Sequence, residues 1–537
     1  MRITNNMMMK STSININGNK LNVNELNNQM TSQKKIQRPS ENPVIAIRAL
    51  RLRSNLSEID QYYENNIPDA ESWMDVTETA IKNMQKILED IRTQCTYGSN
   101  DPLFMDDRKT ILTQLEKLRD QVYAEGNTDY AGRTVFTGYR TNQKLTFMEK
   151  DTKTSYDITH SLSFKDIEEH RYYSDEVTLP TTKDEVYGQK ALPISNPKEA
   201  IFDRIRLGYG GITSITGKDA GGNDATVDTN RASVQIPYSF KDATGNIQKD
   251  NLKVTVYDTL EDWAAANQKN SYEINEDTDN DGVPDAESAV LIKETGELIL
   301  GDYASSELRS KKAELDFNYK KTGFEKGELR PEYYYNCTDV TDPNNPVGFI
   351  KYENGEEVRQ DINYMVAINQ TLTVNVSASD VFDSSVGRDV DAMIEAIRFG
   401  IEANEKVEKL EKMKKMEEYS ADDAQAALEN WIKAAKKEAD YADDNVQKLY
   451  NTYIGKCDKY LEKVNLAYTD VGSRGVSLEL TKNRMENQQT TIETLKSTNE
   501  DRDLSDIILE FTQAYNAYQG SLQAASKINQ NTLLNFI

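Results

Sequence analysis

Apolar positions recur at heptad spacing toward both ends of the chain and alternate in its middle. Near the C-terminus Leu504, Ile508, Phe511, Tyr515, Tyr518, Leu522 and Ala525 follow one another at 4-3-4-3-4-3. A second stripe follows Pro43: Ile45, Ala49, Leu52, Leu56, Ile59 and Tyr63, then Ala70, Trp73, Thr77, Ala80, Met84, Ile87 and Ile91. Each stripe lays one apolar seam along a helix, and a seam needs a partner helix to bury it. The two ends are therefore expected to pair with each other or with neighbouring copies, as in an assembling rod. Asn42 and Pro43 are a cap and a first-turn residue for the second stripe. From Val44 to about Tyr97 the pattern predicts a helix of roughly 75 Å, with Pro68 as a kink or boundary. The run Tyr97-Gly-Ser-Asn-Asp-Pro102 reads as a turn, and Ile111, Leu115, Leu118 and Val122 mark a third helix ending at Gly126-Asn127. Residues 1–42 carry only weak apolar positions (Leu21, Leu26, Met30, Ile36), so this segment is expected to order on assembly.

The period changes between about Thr134 and Asp383. Val234–Phe240 and Leu252–Tyr257 alternate as strands around an Ala243–Asn246 turn, with Pro237 predicting a sheet edge. Val290–Lys293 and Glu297–Leu300 flank Glu294-Thr-Gly296 as a hairpin, and Ala313–Tyr319 and Leu372–Ser377 alternate too. Helical spacing returns with Val390, Ile394, Ile397 and Ile401, then with Tyr453, Cys457, Tyr460, Val464, Ala467 and Val471. Between them Glu402–Glu418 reads as an exposed helix or connector. The expected fold is α+β and elongated: N- and C-terminal helices form a coiled-coil or helical-bundle core, and a β-rich outer domain is inserted in the middle. The corresponding segments are an N-terminal assembly segment (1–43), the two halves of the helical core (44–148 and 386–475), the β-rich insertion (149–385) and a C-terminal assembly helix (476–537).

Charge narrows the partners. A net charge of −25 over 537 residues argues against nucleic acid and anionic membrane surfaces, which need clustered Lys and Arg. No run of about 18 apolar residues predicts a membrane span. The start, MRITNNMMMK, has no apolar region of the kind a cleaved signal needs, so a cytoplasmic location or a signal-less export route is expected. Cys95, Cys337 and Cys457 lie far apart and read as small core residues, not a disulfide framework. His160 and His170 read as surface histidines, and Trp73, Trp263 and Trp431 as packing anchors. No phosphate-binding glycine loop, nucleophile elbow or His-Glu-x-x-His pattern is present, so no enzyme is expected.

One motif carries chemistry. Asp277-Thr-Asp279-Asn-Asp281-Gly-Val-Pro-Asp285 repeats the first nine positions of an Asp-x-Asp-x-Asp-Gly calcium loop. The closing position (loop 277–288) holds Ser288, with Glu287 one residue early. Asp277, Asp279, Asp281 and Asp285 are candidate Ca2+ ligands, and the alternative is a solvated acidic turn. No cofactor is required; Ca2+ would stiffen the loop.

Several segments resemble one family. Met1-Arg-Ile-Thr-Asn-Asn-Met-Met8, Arg38-Pro-Ser-Glu-Asn-Pro-Val-Ile-Ala46, Ala131-Gly-Arg-Thr-Val-Phe-Thr-Gly-Tyr-Arg140, Val471-Gly-Ser-Arg474, Asp503-Leu-Ser-Asp506 and Ser521–Asn529 with Leu533-Leu534 are similar, in order, to segments of the flagellar hook–filament junction proteins, a flagellin-like family. The resemblance covers roughly the first 145 and last 80 residues. The insertion is longer than that family needs, and the helical piece 402–437 is extra. The resemblance implies a structural protein of the bacterial flagellum, extracellular and exported unfolded without a cleaved signal. It implies a homo-oligomeric ring between hook and filament, with terminal helices lining the channel and the β domain outward. Implied partners are further copies of the chain, a neighbouring hook-associated protein, flagellin and an export chaperone on the C-terminal helix. The assembly seam is then Leu504, Ile508, Phe511, Tyr515, Tyr518, Leu522 and Ala525 with Ile45, Leu52, Leu56 and Ile59. Alternatives are a flagellin with a variable outer domain, disfavoured by the Met-Arg-Ile-Thr start, or a secreted calcium-binding adhesin.

Overall fold

The computed structural model describes residues 5–530 apart from 101–103, 188–189, 220, 243, 268–270, 278 and 354. The Met1-Arg-Ile-Thr start, Pro102 and Leu533-Leu534 lie outside the described residues. The chain divides into two compact units, one of residues 1–72, 363–373 and 474–537, the other of residues 73–362 and 374–473. These bounds differ from the segments expected above: the helical regions are shared between the units and one hairpin leaves the β-rich insertion.

The first unit is built by the chain ends. A leading helix, Asn5–Ser32, pairs with a closing helix, Leu504–Gln530. The segment expected to order only on assembly is thus helical over most of its length. The pairing is antiparallel, because Gln29 meets Arg502 while Asn19 reaches the carbonyl of Ala517. The next helix, Pro43–Asp60, starts as expected, with the Asn42 side chain accepting from the N–H groups of Val44 and Ile45. It passes without interruption through a π-helical turn, Gln61–Asn66, into Ile67–Gly98. Pro68 has no N–H to donate to the previous turn, and the wider turn lies just ahead of it, with the Ile67 N–H donating to the Tyr62 carbonyl. A hairpin, Asn363–Ala367 with Gln370–Thr373, joins this unit. Asn66 donates to the Met365 carbonyl at 2.8 Å, Tyr364 bonds Asp69, and Gln370 donates to Thr481 at 3.2 Å.

The second unit holds one twelve-stranded, mostly antiparallel sheet. Its strands run in the order Val347–Phe349, Asn336–Asp339, Asp151–Ser163, Glu314–Phe324, Ile212–Lys218, Ser233–Lys241, Ile247–Tyr257, Ser288–Ile292, Glu297–Leu300, Lys198–Arg206 and Glu168–Ser174, with Asp224–Val227 beside Ile212–Lys218. Among the described residues, only Ser288–Ile292 beside Ile247–Tyr257 pairs in parallel. The predicted hairpins form, with Phe240 opposite Gln248 and Ile292 opposite Glu297. Pro237 is not at a sheet edge. Its strand is interior, and it sits where the neighbour changes from Ile212–Lys218, at Gln235, to Glu314–Phe324, at Tyr238, so no ladder bond needs its missing N–H.

Helices cover this sheet. Met105–Gln121 runs antiparallel to Ser384–Lys414, tied by Lys109–Glu405, Arg398–Glu116 and Arg119–Asp391. A buried ionic cluster links the sheet to the helices. Arg204 bonds Glu297 at 2.5 Å, Arg206 bonds Glu168 at 2.8 Å and pairs with Asp389, and Lys456 reaches both Glu168 and Asp389. Burial raises the Glu168 carboxyl, but Arg206, Arg204 and Lys456 pull it down to about 2. The piece Glu402–Glu418 is not a bare connector. It turns back through Glu417–Tyr419 into the long helix Asp422–Glu500, and Leu410, Tyr419, Leu428 and Trp431 form a core of their own, closed by Val177 and Val186. The sequence hides this core because its lid lies more than two hundred residues upstream. All three tryptophans are buried, as expected for anchors.

Candidate functional site

The terminal helices carry the candidate assembly surface. Along the closing helix the shielded positions are Ile507, Phe511, Ala514, Tyr518, Ser521, Ala525 and Ile528, itself a 4-3-4-3-4-3 stripe. Leu26 is buried, and Ile16, Val23 and Met30 half-buried, on the leading helix. Of the predicted C-terminal seam, Phe511, Tyr518 and Ala525 belong to this shielded stripe. Leu504, Ile508, Tyr515 and Leu522 remain 41–47% exposed and form an apolar ridge beside it. Leu509 adds to the ridge, and Phe511 stacks on Tyr515. On the second helix Leu56 and Ile59 are buried and Ile45 and Leu52 half-buried. Among the described residues the closing helix thus has two apolar stripes, one shielded within the chain and one exposed.

A polar latch joins the turn after the leading helix to the turn before the closing helix. Lys34 and Asp501 form an isolated antiparallel bridge, flanked by Lys35 N–H to Glu500 carbonyl at 2.7 Å and Arg502 N–H to Gln33 carbonyl at 3.0 Å. The Glu500 side chain, 4% exposed, takes both arms of Arg53 at 2.8 and 2.5 Å and faces Lys34 at 3.5 Å. The hydrogen bonds from Arg53 hold the Glu500 carboxyl below its ordinary range. Sequence reading missed these residues. It ran one assembly helix over 476–537, whereas the chain ends one helix at Glu500 and starts the next at Leu504, and the latch lies in that break.

The segment Ala131–Arg140 is a compact turn that packs the second unit. Gly132 and Gly138 adopt φ of 78° and 59°, and a Cβ on Gly138 would meet Gln360. Val135 and Phe136 are buried, Phe136 lies edge-on to Phe382, and Arg133 lies over Trp73.

The acidic loop brings together three of its four predicted ligands. Carboxylate oxygens of Asp277, Asp279 and Asp285 lie within 4.8 Å of one another, whereas the Asp281 carboxylate accepts the Val283 N–H. Asn280 and Gly282 turn the chain with positive φ. Glu276 anchors the loop: its carbonyl accepts from Asp285 and Ala286, and its carboxylate caps the helix Asp302–Lys311 through Tyr303 and Ala304. Glu287 is committed elsewhere, to Tyr238 and Lys311, and Ser288 lies in a strand.

The histidines are half-buried, not on the surface. Burial, with Arg388 beside it, lowers His160 to about 4, and burial, with Arg204, lowers His170 to about 3. A cleft of about 630 Å³ in the second unit is lined by Arg119, Asp391, Arg388 and Glu297. These groups already serve the fold: Arg119 pairs with Asp391, Glu297 with Arg204, and Arg388 donates to the carbonyls of Leu207 and Thr295. No described helix is long and apolar enough to cross a membrane.

Residues 3–141 match the family model "Bacterial flagellin N-terminal helical region". More particularly, the chain is similar to flagellar hook-associated protein 3 of Salmonella typhimurium, 28% identical over 142 residues, and of Escherichia coli, 30% identical over 148 residues. Each similarity covers 26% of this chain and 44% of the relative, so the chain spans under half the length of the curated relatives it matches. Among solved structures it is similar to a putative flagellar hook-associated protein from Vibrio parahaemolyticus at 12% identity and TM-score 0.33, covering 86% of this chain and all of that one. The flagellar junction protein from Legionella pneumophila gives 11% and 0.28, covering 85% and 100%. At such scores the fold stands on its own geometry.

Proposed function

We propose that this chain is a structural component of the bacterial flagellum, a junction protein joining hook to filament by assembling with copies of itself through its terminal helices. The observation that carries the reading is the flagellin-type region over residues 3–141, whose curated relatives are hook-associated proteins. The apolar ridge left exposed on the closing helix supports it, since a seam without an internal partner suits a neighbouring copy. Its neighbours are then a hook-associated protein and flagellin, its place is outside the cell, and its route is signal-less export with a chaperone shielding the closing helix. Deleting the gene is expected to leave cells with hooks but no filaments, shedding flagellin into the medium. Full-length filaments on the deletion strain would refute the reading. Loss of the filament protein itself would favour a flagellin.

The acidic loop supports a second proposal: Asp277, Asp279 and Asp285 bind Ca2+ weakly and stiffen the loop. Three converging carboxylates favour it, and the engagement of Glu287 elsewhere removes the bidentate group that tight sites use. Calorimetry is expected to show a dissociation constant on the order of 10⁻³ M, as in extracellular calcium modules, lost in Asp279→Ala. No heat at millimolar Ca2+ would end the idea.

A further inference from the structure

Cys95 and Cys457 are 362 positions apart in sequence (457 − 95) yet share one site in the second unit. Cys95 lies on the helix Ile67–Gly98 and Cys457 on the helix Asp422–Glu500. Three interactions fix how these helices meet. Arg92 Nε bonds Asp458 at 2.6 Å, the Cys95 and Cys457 thiols lie close enough to influence each other's charge, and the Tyr450 ring packs on the backbone of Gly98 where a Cβ would stand. One helix therefore rises from 92 to 98 as the other falls from 458 to 450, an antiparallel register that has both cysteines within its span. Gly98 lets the backbones approach closely there. The pair sits in a dry core: Cys95 is 0% and Cys457 4% exposed, and Cys95 also donates to the Met393 sulfur at 3.5 Å. Cys337, on a strand of the sheet, has no such relation to them.

We propose that Cys95 and Cys457 are a disulfide site, oxidised as the chain folds in an oxidising medium, which staples the N-terminal half of the helical core to the C-terminal half. The oxidant is a small-molecule disulfide. The Cys457 thiolate attacks one of its sulfurs and expels a thiolate. Cys95 then loses its proton to water and attacks the Cys457 sulfur, expelling the second. Two protein thiols become one disulfide, and the reagent is reduced to two thiols. The Cys457 thiol and burial push the Cys95 pKa well up, so attack within the folded core is slow. The reagent reaches the thiols only while the helices are apart, so the bond forms during folding. The contact of the two thiols is independent of the flagellar reading; only the oxidising surroundings rest on it.

The test uses the full-length chain, purified reduced, unfolded in urea, and refolded with oxidised glutathione or with dithiothreitol. Free thiols are counted by alkylation and intact mass, and the link is mapped on non-reduced peptides. Two of the three thiols are expected to disappear, joined as Cys95–Cys457, in the wild type and in Cys337→Ser, with a non-reduced gel band running faster because a long loop has closed. Cys95→Ser and Cys457→Ser should each keep both remaining thiols. The oxidised form should melt about 5–10 °C above the reduced form. Three free thiols after refolding in oxidised glutathione, or a link through Cys337, would overturn the proposal without touching the flagellar reading. Normal filaments on a gene-deletion strain would sink that reading and leave the thiol result standing.

Discussion

At the scale of single residues, His160 and His170 set how the molecule meets acid. Both are held mainly neutral when folded, with pKa values of about 4 and 3, against about 6.5 in an unfolded chain. Between those limits the unfolded chain binds more protons, so the stability they contribute is present above pH 6.5 and lost as pH falls toward 4. Below 4.5 Glu168 takes over, since its folded carboxyl stays ionised down to about 2. Thermal melts from pH 7 to pH 4.5 are expected to show a falling Tm, and His170→Gln should flatten that fall. An unchanged slope would reject the assignment. The sequence showed two isolated histidines in polar surroundings and could not show that Arg204 and Arg388 would close over them. By contrast, the Asn42 cap was legible, because a cap is decided by neighbours two or three residues away.

At the scale of elements, the closing helix repeats one spacing twice. The stripe read from sequence and the stripe buried in the fold share Phe511, Tyr518 and Ala525, and heptad spacing alone cannot say which neighbouring residues complete them. Burial chooses Ile507 over Leu504 and Ile508. Ile507→Ala is therefore expected to cost about 3 kcal/mol of the stability of the first unit. The pair Ile508→Asp with Leu522→Asp should leave the melt of the isolated chain unchanged and abolish incorporation into flagella. Unimpaired motility in that double variant would remove the ridge from the assembly surface. The stripe Tyr453–Val471 was fully legible, its positions buried or half-buried in register. The thiol pair and the core around Trp431 were not, because each joins segments hundreds of residues apart and leaves no local period.

At the scale of the whole molecule, the division into helical flanks and a β-rich insertion was legible, and its boundaries were not. Residues 363–373 lie in sequence within the expected insertion and fold with the chain ends, because their partners are Asn66, Asp69 and Thr481. A net charge of −25 is spread over a molecule that also leaves Leu504, Ile508 and Leu522 bare. Copies that approach through this ridge gain apolar contact and meet mutual repulsion. The repulsion reaches only about 10 Å in 0.1 M salt and about 30 Å in 0.01 M, while the contact hardly depends on salt. If copies assemble through this ridge as proposed, ionic strength is expected to act as a threshold control, with dilute buffer keeping the ridges apart and physiological salt letting them meet.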